Sequence, residues 1–433
     1  MIEPGQVISA DGFIGGIEIR RLIGEGSQGV VFEATFPTGE VSALKWYHEH
    51  TATPSQWESI ADLVERGAPD PRFLWPETLV RSPDSSGFGY LMPLRPQSFA
   101  SLVDLLTAKV DVPFTIVCRL CMELADCFLI LHSQGLCYRD ISFGNVFFDP
   151  ETGVPMICDN DNVGIDGVGP VSVLGTRRFM APEVVRREAS PSTDTDLYSL
   201  AVLLFYILMT GHPLIGKREL EFDCWDETTE SILFGSDPLF VFDPEDDRNV
   251  PSPSLHGSVS NYWGLYPRFM RALFIQAFTT GLTDPKNGRV RESVWRTALG
   301  RLRGCILRCE QCAKENFADP EGGPINCWFC GRSVSYPLWL RVGGNLVALG
   351  NSSRVLGHDL KQNRDMSTLV AEVTTHPQRA GLYGLTNCTA DSWSAVLPSG
   401  ENREIDPGRS IRLRSGTELS IGGVKTQIVE NRI

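Results

Sequence analysis

The chain has 433 residues, which exceeds the size of one ordinary domain and favours two or three folded units. Hydrophobic residues make up 42% of the sequence and charged residues 21%, which is typical of a globular protein and argues against a disordered one. The formal net charge of -14 argues against a protein that binds nucleic acid or an anionic membrane, because such proteins carry clustered Lys and Arg.

The amino terminus, MIEPGQVISADG, lacks the basic start and apolar core of an export signal, so we expect a cytoplasmic protein with reduced cysteines. Short β segments separated by glycines then extend from about residue 14 to residue 48. Apolar residues at helical spacing predict a helix over residues 54–66. Further strands follow, so the first part of the chain is predicted to be β-rich.

After Pro96 the apolar residues recur at helical spacing, which predicts a larger helical unit. The longest apolar run, residues 200–209, has about half of the roughly 20 residues that span a membrane, and it predicts a buried helix. Residues 219–262 are acidic and contain many Pro and Ser, which predicts a surface excursion. From residue 336 on, apolar and polar residues alternate between turns, which favours a β-sandwich or small barrel.

A glycine-rich segment, GEGSQGVV, contains Gly24, Gly26 and Gly29. Glycines allow a tight turn and let backbone N–H groups approach phosphate oxygens that a side chain would exclude. Taken alone, the segment equally describes a hairpin with glycine turns.

The strand that follows carries Lys45, whose ammonium could meet the α and β phosphates of a nucleotide. A carboxylate is needed to hold this lysine, and the predicted helix offers Glu58 and Glu65. These two residues are seven apart and therefore share one helix face. We expect Glu65 to be the partner, because its spacing suits a helix that packs beside the next strand.

Three later segments, LHSQGLCYRDISFGN, GTRRFMAPE and DLYSLAV, occur in a specific order. Together with the glycine-rich segment and Lys45 they resemble the eukaryotic-type protein kinase family over roughly residues 14–303. The resemblance implies a bilobal protein-kinase fold, with an N-lobe over residues 1–95 and a C-lobe over residues 96–304. It also implies ATP and Mg²⁺ or Mn²⁺ as cofactors and a protein substrate.

The resemblance assigns roles within YRDISFGN and PMICDNDN. Asp140 would accept or orient the proton of the substrate hydroxyl, and Asn145 would bind Mg²⁺. Asp159, 19 residues after Asp140, takes the place of the second metal ligand, with Asp161 as the alternative two residues later. Each of these residues alone equally suits a turn in which the side chain caps its own backbone.

Apolar residues near these segments complete the nucleotide site that the resemblance implies. They are Val31, Ala43 and Met92, with Leu91 as the alternative to Met92 for lining the adenine pocket. A methionine packed in the core explains the position of Met92 equally well.

Some positions depart from the family pattern. Ser142 stands where serine/threonine kinases have a Lys, and loss of that cation predicts a slower enzyme, not an inactive one. Asn160 replaces a Phe, and Asp161 replaces a Gly. Two functions therefore stay open: an active, autophosphorylating serine/threonine kinase, and a pseudokinase scaffold that binds ATP without turnover. The retained lysine, catalytic aspartate and metal ligands favour the first.

The segment around GTRRFMAPE indicates the acceptor. Thr176 lies seven residues before Glu183, as in kinases that phosphorylate Ser or Thr, and Ser172 and Thr176 are the expected autophosphorylation sites. Glu183 and Arg289 are expected to form a buried ion pair. Asp196 is expected to hold the catalytic loop through backbone hydrogen bonds.

Two Cys-x-x-Cys pairs predict a metal site within residues 305–334. Cys309, Cys312, Cys327 and Cys330 have the number, softness and spacing of the ligands of a tetrahedral structural Zn²⁺. A third pair in CRLC, residues 118 and 121, lies in an apolar helical stretch and is expected to be core.

Residues 335–433 resemble forkhead-associated domains in LGHDL and in VLPSGENREIDPGRSIRLRSGTELSIGG. His358 stands where an Arg that reads phosphothreonine is expected, and Asn387 alone matches that family's recognition residues. The region could therefore bind phosphopeptides or act as a docking or autoinhibitory module.

The predicted fold class is α+β, in which a bilobal kinase fold is followed by a small zinc ribbon and an all-β sandwich. This order resembles the bacterial serine/threonine kinases encoded beside a von Willebrand A-type tellurite-resistance protein and a metal-dependent protein phosphatase. The resemblance makes those two proteins candidate partners and places the chain in bacterial signalling or stress response.

Overall fold

The computed structural model describes residues 2–8, 16–82, 87–167, 175–335, 338–361, 363–376, 378–379 and 381–430. A β-rich region, a helical region and a second β-rich region follow one another along the chain, which is an α+β organisation. The α-helices, in chain order, are α1 (Pro54–Arg66), α2 (Leu102–Leu106), α3 (Phe114–Ser133), α4 (Pro182–Val185), α5 (Thr193–Met209), α6 (Glu227–Ser231), α7 (Gly257–Trp263), α8 (Arg268–Phe278), α9 (Thr280–Thr283), α10 (Pro285–Gly288), α11 (Glu292–Gly304) and α12 (Gly357–Lys361).

The strands, in chain order, are β1 (Val7–Ile8), β2 (Ile17–Glu25), β3 (Gly29–Thr35), β4 (Val41–Tyr47), β5 (Thr78–Arg81), β6 (Phe88–Met92), β7 (Ala100–Ser101), β8 (Leu136–Cys137), β9 (Val146–Phe148), β10 (Pro155–Ile157), β11 (Gly164–Ile165), β12 (Ile306–Arg308), β13 (Glu315–Phe317), β14 (Ile325–Asn326), β15 (Ser333–Val334), β16 (Leu338–Val342), β17 (Asn345–Leu349), β18 (Arg354–Leu356), β19 (Leu369–Thr375), β20 (Tyr383–Asn387), β21 (Trp393–Val396), β22 (Asn402–Ile405), β23 (Ser410–Arg412), β24 (Glu418–Ile421) and β25 (Val424–Val429).

The first sheet positions Lys45. Its strands follow the order β1-β2-β3-β4-β6-β5, and neighbouring strands are antiparallel. The register sets Lys45 on β4 opposite Val31 on β3 and Tyr90 on β6. Because side chains alternate across a strand, Trp46 joins the hydrophobic cluster on one face while Tyr47 packs into the main cluster on the other.

Helix α1 occupies residues 54–66, as the apolar spacing predicts. Thr53 caps its first turn by accepting a hydrogen bond from the backbone N–H of Gln56. Pro54 stands at the start of the helix, where its missing N–H leaves no helical bond unmade. Ile60 and Leu63 are buried in the main hydrophobic cluster, so they define the face that α1 turns inward.

The helical region is built around α5, which contains the apolar run that predicts a buried helix. Every residue of α5 from Thr195 to Met209 is buried, which confirms that prediction. Cys118 and Cys121 on α3 are also buried, and burial raises the pKa of both thiols, as expected of core residues. No helix in the described part of the chain is both long and apolar enough to cross a membrane.

The acidic stretch, residues 219–262, is only partly a surface excursion. Residues 219–247 contain eleven Asp and Glu and neither Lys nor Arg. Leu233, Phe234, Phe240 and Val241 are nevertheless buried in the main hydrophobic cluster. The prediction is wrong for these residues, because the hydrophobic effect buries large apolar side chains whatever the charge of their neighbours in sequence.

A short segment of paired strands follows the helical region. Strand β12 pairs with β13, and β14 pairs with β15. Glu315 on β13 accepts hydrogen bonds from the backbone N–H and the hydroxyl of Thr115 at 2.8 and 3.2 Å. The Phe317 and Phe114 rings lie 4.8 Å apart. The segment is therefore anchored on the start of α3.

The carboxyl-terminal region contains two antiparallel sheets. One has the strand order β17-β16-β25-β24-β21-β22, and the other has the order β18-β19-β20-β23. Buried residues from both sheets, among them Val373 and Ile428, form one hydrophobic cluster. Asp359 on α12 pairs with Arg303 on α11 at 3.2 Å, which fixes this region against the helical one.

Asp126 on α3 is a second point at which separate regions meet. Its carboxylate receives Arg72 from the loop after α1 at 2.9 Å and Arg296 from α11 at 2.9 Å. Arg364, from the carboxyl-terminal region, also reaches it at 3.0 Å. One buried carboxylate thus joins three parts of the chain that lie far apart in sequence.

Candidate active site

The backbone of the YRDISFGN loop is held from below by α5. Asp196 accepts hydrogen bonds from the backbone N–H groups of Tyr138 at 2.5 Å and Arg139 at 3.0 Å, which confirms its predicted role. Arg139 adopts a positive φ of 73°, a conformation that ordinary residues adopt at a cost. The Asp196 bonds therefore stabilise a sharp turn immediately before Asp140.

Asp140 is oriented by hydrogen bonds from two sides. Its Oδ1 accepts from the backbone N–H of Thr176 at 2.8 Å and from the Thr176 hydroxyl at 2.9 Å. The side-chain amide of Asn145 donates to Asp140 Oδ2 at 3.2 Å and to its carbonyl oxygen at 2.9 Å. Because the amide N–H₂ of Asn145 is turned toward Asp140, its oxygen is the atom available to a cation.

Burial raises the pKa of Asp140, and the nearby negative charge of Asp159 acts in the same direction. The bonds from Thr176 and Asn145 oppose this, but the pKa stays above its ordinary value. A carboxylate with these surroundings can accept a proton more readily than an exposed one.

Asp159 lies at the end of β10, beside the catalytic loop. The backbone N–H of Cys158 donates to the Asn145 carbonyl at 2.9 Å, which brings Asp159 close to Asn145. Asp159 has a left-handed backbone with φ of 49°, and its side chain is 45% exposed. Asn160, in contrast, is fully buried and donates to the carbonyl oxygens of Leu74 and Ile157 at 2.8 and 2.9 Å.

Lys45 is buried and bonded to three acceptors. Its Nζ lies 2.7 Å from Asp161 Oδ2, 3.3 Å from Asp159 Oδ1 and 3.3 Å from Gln28 Oε1. Burial alone would lower the pKa of Lys45, but the charges of Asp161 and Asp159 raise it above its ordinary value. Lys45 is therefore held as a cation.

The prediction that Glu65 holds Lys45 needs correction. Glu65 and Glu58 are both exposed on α1, and the carboxylates that contact Lys45 come from Asp159 and Asp161. The physical reason is that Ile60 and Leu63 take the inward face of α1, which turns the acidic face to solvent.

The glycine-rich segment forms the turn between β2 and β3. A Cβ at Gly29 would lie 2.3 Å from the carbonyl oxygen of Trp46, so only glycine fits there. A Cβ at Gly24 would meet no atom within 4 Å, and one at Gly26 only the Gly29 carbonyl at 4.0 Å. Gly24 and Gly26 thus border open space, and their role toward a phosphate stays a prediction.

Gln28, at the tip of this loop, points toward Lys45. Besides its bond to Lys45, its side-chain amide donates to Asn162 Oδ1 at 3.0 Å. No local pattern indicates this contact, because Gln28 and Asn162 are 134 positions apart in the chain.

The residues predicted for the adenine pocket lie on adjoining strands. Ala43 on β4 pairs with Met92 on β6, and both are buried in the main cluster. Leu91 belongs to the cluster on the opposite face of the sheet. Of the two alternatives, Met92 therefore shares a face with Ala43 and Lys45.

The comparison with known proteins agrees with this arrangement. Residues 91–248 match the family described as "Protein kinase domain". The chain contains a protein kinase domain. Protein kinase domains use ATP and a divalent metal ion.

Individual relatives are similar over parts of their length. The chain is 32% identical to protein kinase MCK1 of Saccharomyces cerevisiae over 114 residues, which are 26% of this chain and 29% of that protein. It is 31% identical to glycogen synthase kinase 1 of Pyricularia oryzae over 24% of this chain and 27% of that protein. It is 25% identical to the DNA damage-responsive serine/threonine-protein kinase RqkA of Deinococcus radiodurans over 67% of this chain and 40% of that protein. The chain thus spans less than half the length of each of these relatives.

The end of the kinase domain's activation segment is tied to its helical region. Arg289 Nη2 donates to both oxygens of Glu183, at 2.7 and 2.9 Å, which confirms the predicted ion pair. Ser142, where the family has a Lys, is buried. Ser172, a predicted autophosphorylation site, lies outside the described residues.

The four predicted metal ligands meet at one point. The sulfur atoms of Cys309, Cys312, Cys327 and Cys330 all lie within 4.8 Å of one another, and the 309–330 and 312–327 pairs are 3.6 Å apart. Four thiolates around Zn²⁺, with bonds of about 2.3 Å, require sulfur separations of about 3.8 Å. The cluster is therefore compatible with zinc.

The two Cys-x-x-Cys pairs share one backbone geometry. Cys309 N–H donates to the carbonyl of the residue five positions on, at 2.9 Å, and Cys327 N–H does the same at 2.7 Å. The residue after each pair, Ala313 or Gly331, has a positive φ of 60° or 70°. Asn316 also donates to the Cys327 sulfur at 3.6 Å, as a residue that supports a metal ligand would.

Proposed function

We propose that this chain is an ATP-dependent serine/threonine protein kinase that uses Mg²⁺ or Mn²⁺ and phosphorylates itself. Asp140 orients the acceptor hydroxyl, Lys45 binds the α and β phosphates, and Asn145 and Asp159 hold the metal ion. Gly24, Gly26 and Gly29 approach the phosphates, while Val31, Ala43 and Met92 contact the base. These roles rest on the resemblance and on the placement of the residues.

The observation that carries the proposal is the shared position of Asp140, Thr176 and Asn145. Asp140 accepts hydrogen bonds from Thr176 on the activation segment and from Asn145, the candidate metal ligand on its own loop. The Thr176 contact also favours Ser or Thr as the acceptor. Positioning and electrostatic stabilisation of this kind account for most of the catalysis in phosphoryl transfer.

The experiment is incubation of the purified protein with ATP and either Mg²⁺ or Mn²⁺, followed by intact mass measurement. We expect the parent to gain phosphate and Asp140→Asn and Lys45→Met to lose at least about 100-fold in rate. Asp247→Asn, which removes an exposed carboxylate from a surface turn, is the matched control and should behave as the parent. Phosphate incorporation that survives in Asp140→Asn would contradict the proposal.

The second candidate, a pseudokinase scaffold, is favoured by one observation. Ser142 is buried in place of a Lys, so one cation that would neutralise the transferring group is missing. A scaffold would bind ATP, bind it measurably more weakly in Lys45→Met, and show no phosphate incorporation with either metal. The same samples therefore distinguish the two functions.

The remaining regions belong to the proposal as accessory modules. We propose kinase lobes over residues 1–95 and 96–304, a Zn²⁺ ribbon over 305–334, and a forkhead-associated-like sandwich over 335–433. Two sheets with a common core support the last of these. A von Willebrand A-type protein and a metal-dependent phosphatase are the proposed partners in a bacterial cytoplasmic signalling or stress-response system. Co-purification of either protein with the intact chain would test that assignment.

A further inference from the structure

The contacts of Lys45 are unequal in length and burial. Its ammonium has three N–H donors, and the structure supplies three acceptors. The shortest contact, 2.7 Å, is to Asp161, whose side chain is fully buried. The contacts to Asp159 and Gln28 are both 3.3 Å, and the Asp159 side chain is 45% exposed.

Asp161 is fixed by a second short contact. The Tyr47 hydroxyl donates to Asp161 Oδ2 at 2.5 Å, and the Gln56 amide donates to the Tyr47 oxygen at 3.1 Å. Tyr47 lies two positions after Lys45 on β4, so both side chains are on the same face of the strand. The carboxylate is thus clamped between two neighbouring residues of one strand.

Burying Asp161 costs free energy, because one of its two oxygens has no hydrogen-bond partner in the described part of the chain. Among the described residues, its Oδ1 is one of the buried atoms without a hydrogen-bond partner. A buried charge with an unsatisfied oxygen is unfavourable unless another interaction offsets its cost. The ion pair with Lys45 is the interaction that offsets the cost of burying the Asp161 charge.

From these contacts we propose that Asp161 is the positioning carboxylate of Lys45. Asp161 is then the lysine partner that the sequence analysis expected Glu65 to be, and Asp159 remains the proposed metal ligand. When a nucleotide enters, its phosphate oxygens replace the two longer contacts, to Asp159 and Gln28, and the Asp161 contact persists. This inference rests on the proposed function, because it specifies how that site binds ATP.

The test compares ATP binding in the parent, Asp161→Asn, Tyr47→Phe, Glu65→Gln and Asp62→Asn. Binding is measured by titration with a fluorescent ATP analogue and Mg²⁺, and thermal melting shows that each variant folds. Asp161→Asn keeps the shape of the side chain but removes its charge, so we expect the dissociation constant to rise about tenfold or more. Tyr47→Phe keeps the charge and should have a smaller effect. Asp62→Asn, which removes an exposed carboxylate from α1, is the matched control.

A double-mutant cycle separates positioning from a purely structural role. In a Lys45→Met background, Asp161→Asn should weaken binding by less than about twofold, because the residue acts through the lysine. An equal loss in both backgrounds would show that Asp161 acts otherwise and would overturn the inference. A tenfold loss in Glu65→Gln with none in Asp161→Asn would restore the helix as the source of the carboxylate.

Failure of this inference is distinguishable from failure of the proposed function. If the parent binds ATP but incorporates no phosphate, the kinase proposal fails while the binding series still decides the role of Asp161. If phosphate transfer occurs and Asp161→Asn matches the parent in both binding and the KM for ATP, only the inference fails. A parent that neither binds ATP nor transfers phosphate would contradict both. If Asp161→Asn does not fold, Tyr47→Phe in the two backgrounds gives the same comparison.

Discussion

Raising the pH is expected to weaken the fold through His132, which bridges two buried carboxylates. Its Nδ1 contacts Glu292, and its Nε2 lies 3.1 Å from Asp196 Oδ2. Burial alone would lower the pKa of His132, but hydrogen bonds to Asp196 and Glu292 raise it from 6.5 to about 9. The histidine is therefore a cation in the folded protein at neutral pH, and its charge is compensated on both sides.

Stability falls as the pH rises because the folded protein holds the His132 proton more tightly than the unfolded chain does. The stabilisation is complete below pH 6.5 and is lost as the pH rises through about 9. One pKa unit corresponds to about 1.4 kcal/mol, so the contribution of His132 is about 3 kcal/mol. Its side chain is only 8% exposed, so solvent screens the interaction little.

Urea denaturation at pH 6.5 and 9.0 measures this contribution. The parent should lose about 3 kcal/mol more than His132→Gln between the two pH values. Lysines and other groups that titrate in this range contribute to both proteins and cancel in the difference. Equal losses would refute the reasoning. If His132→Gln does not fold, NMR of histidine labelled with carbon-13 decides, since a neutral His132 at pH 8 in the parent would refute it too.

Three further perturbations probe the accessory contacts. Cys312→Ser should lower the melting temperature by at least about 5 °C and raise hydrogen exchange first in the carboxyl-terminal region. Cys388→Ser, which removes an exposed thiol, is the control and should have neither effect. Equal melting curves for the parent and Cys312→Ser would contradict a structural metal. Arg289→Ala should cost about 3 kcal/mol in urea denaturation because it removes a buried guanidinium and leaves the partly buried Glu183 carboxylate unpaired, and a loss below about 1 kcal/mol would contradict this. Asp359→Asn removes the ion pair to Arg303 and should speed proteolysis between the helical and carboxyl-terminal regions; an unchanged cleavage rate would show that this contact does not hold them together.

Local patterns predicted the elements around the site. Helix α1 was predictable because its apolar spacing, its Thr53 cap and its closing glycine all indicate the same bounds. The contacts of Asp140 and Asp196 were predictable because their segments resemble a family whose loop geometry is fixed. The burial of Leu233, Phe234, Phe240 and Val241 was not, because net charge says little about which apolar side chains pack.

The partner of Lys45 required the tertiary structure. Glu58 and Glu65 share a helix face, as expected, but their spacing does not say which way that face turns. The inward position of Leu63, two residues before Glu65, contained a usable signal, since residues two apart on a helix point in nearly opposite directions. Tyr47 was a second signal, because residues two apart on a strand share a face.

If Asp161 is the carboxylate that positions Lys45, the elements whose movement can disturb the lysine differ from those expected with Glu65. Among the described residues, a hydrogen-bonded route from helix α1 to the partner of the lysine runs through Gln56 and Tyr47, and a neutral hydrogen bond of this kind contributes about 1 kcal/mol. Breaking this hydrogen bond therefore removes less stabilisation than breaking the ion pair of Lys45. A shift of the turn at Asn160–Asn162 that separates Asp161 from Lys45 leaves a buried carboxylate without its cation, which costs several times more. If Asp161 positions Lys45 as proposed, we therefore expect a shift of the turn after Asp159 to disturb the lysine more than the loss of the Gln56 bond from α1 does.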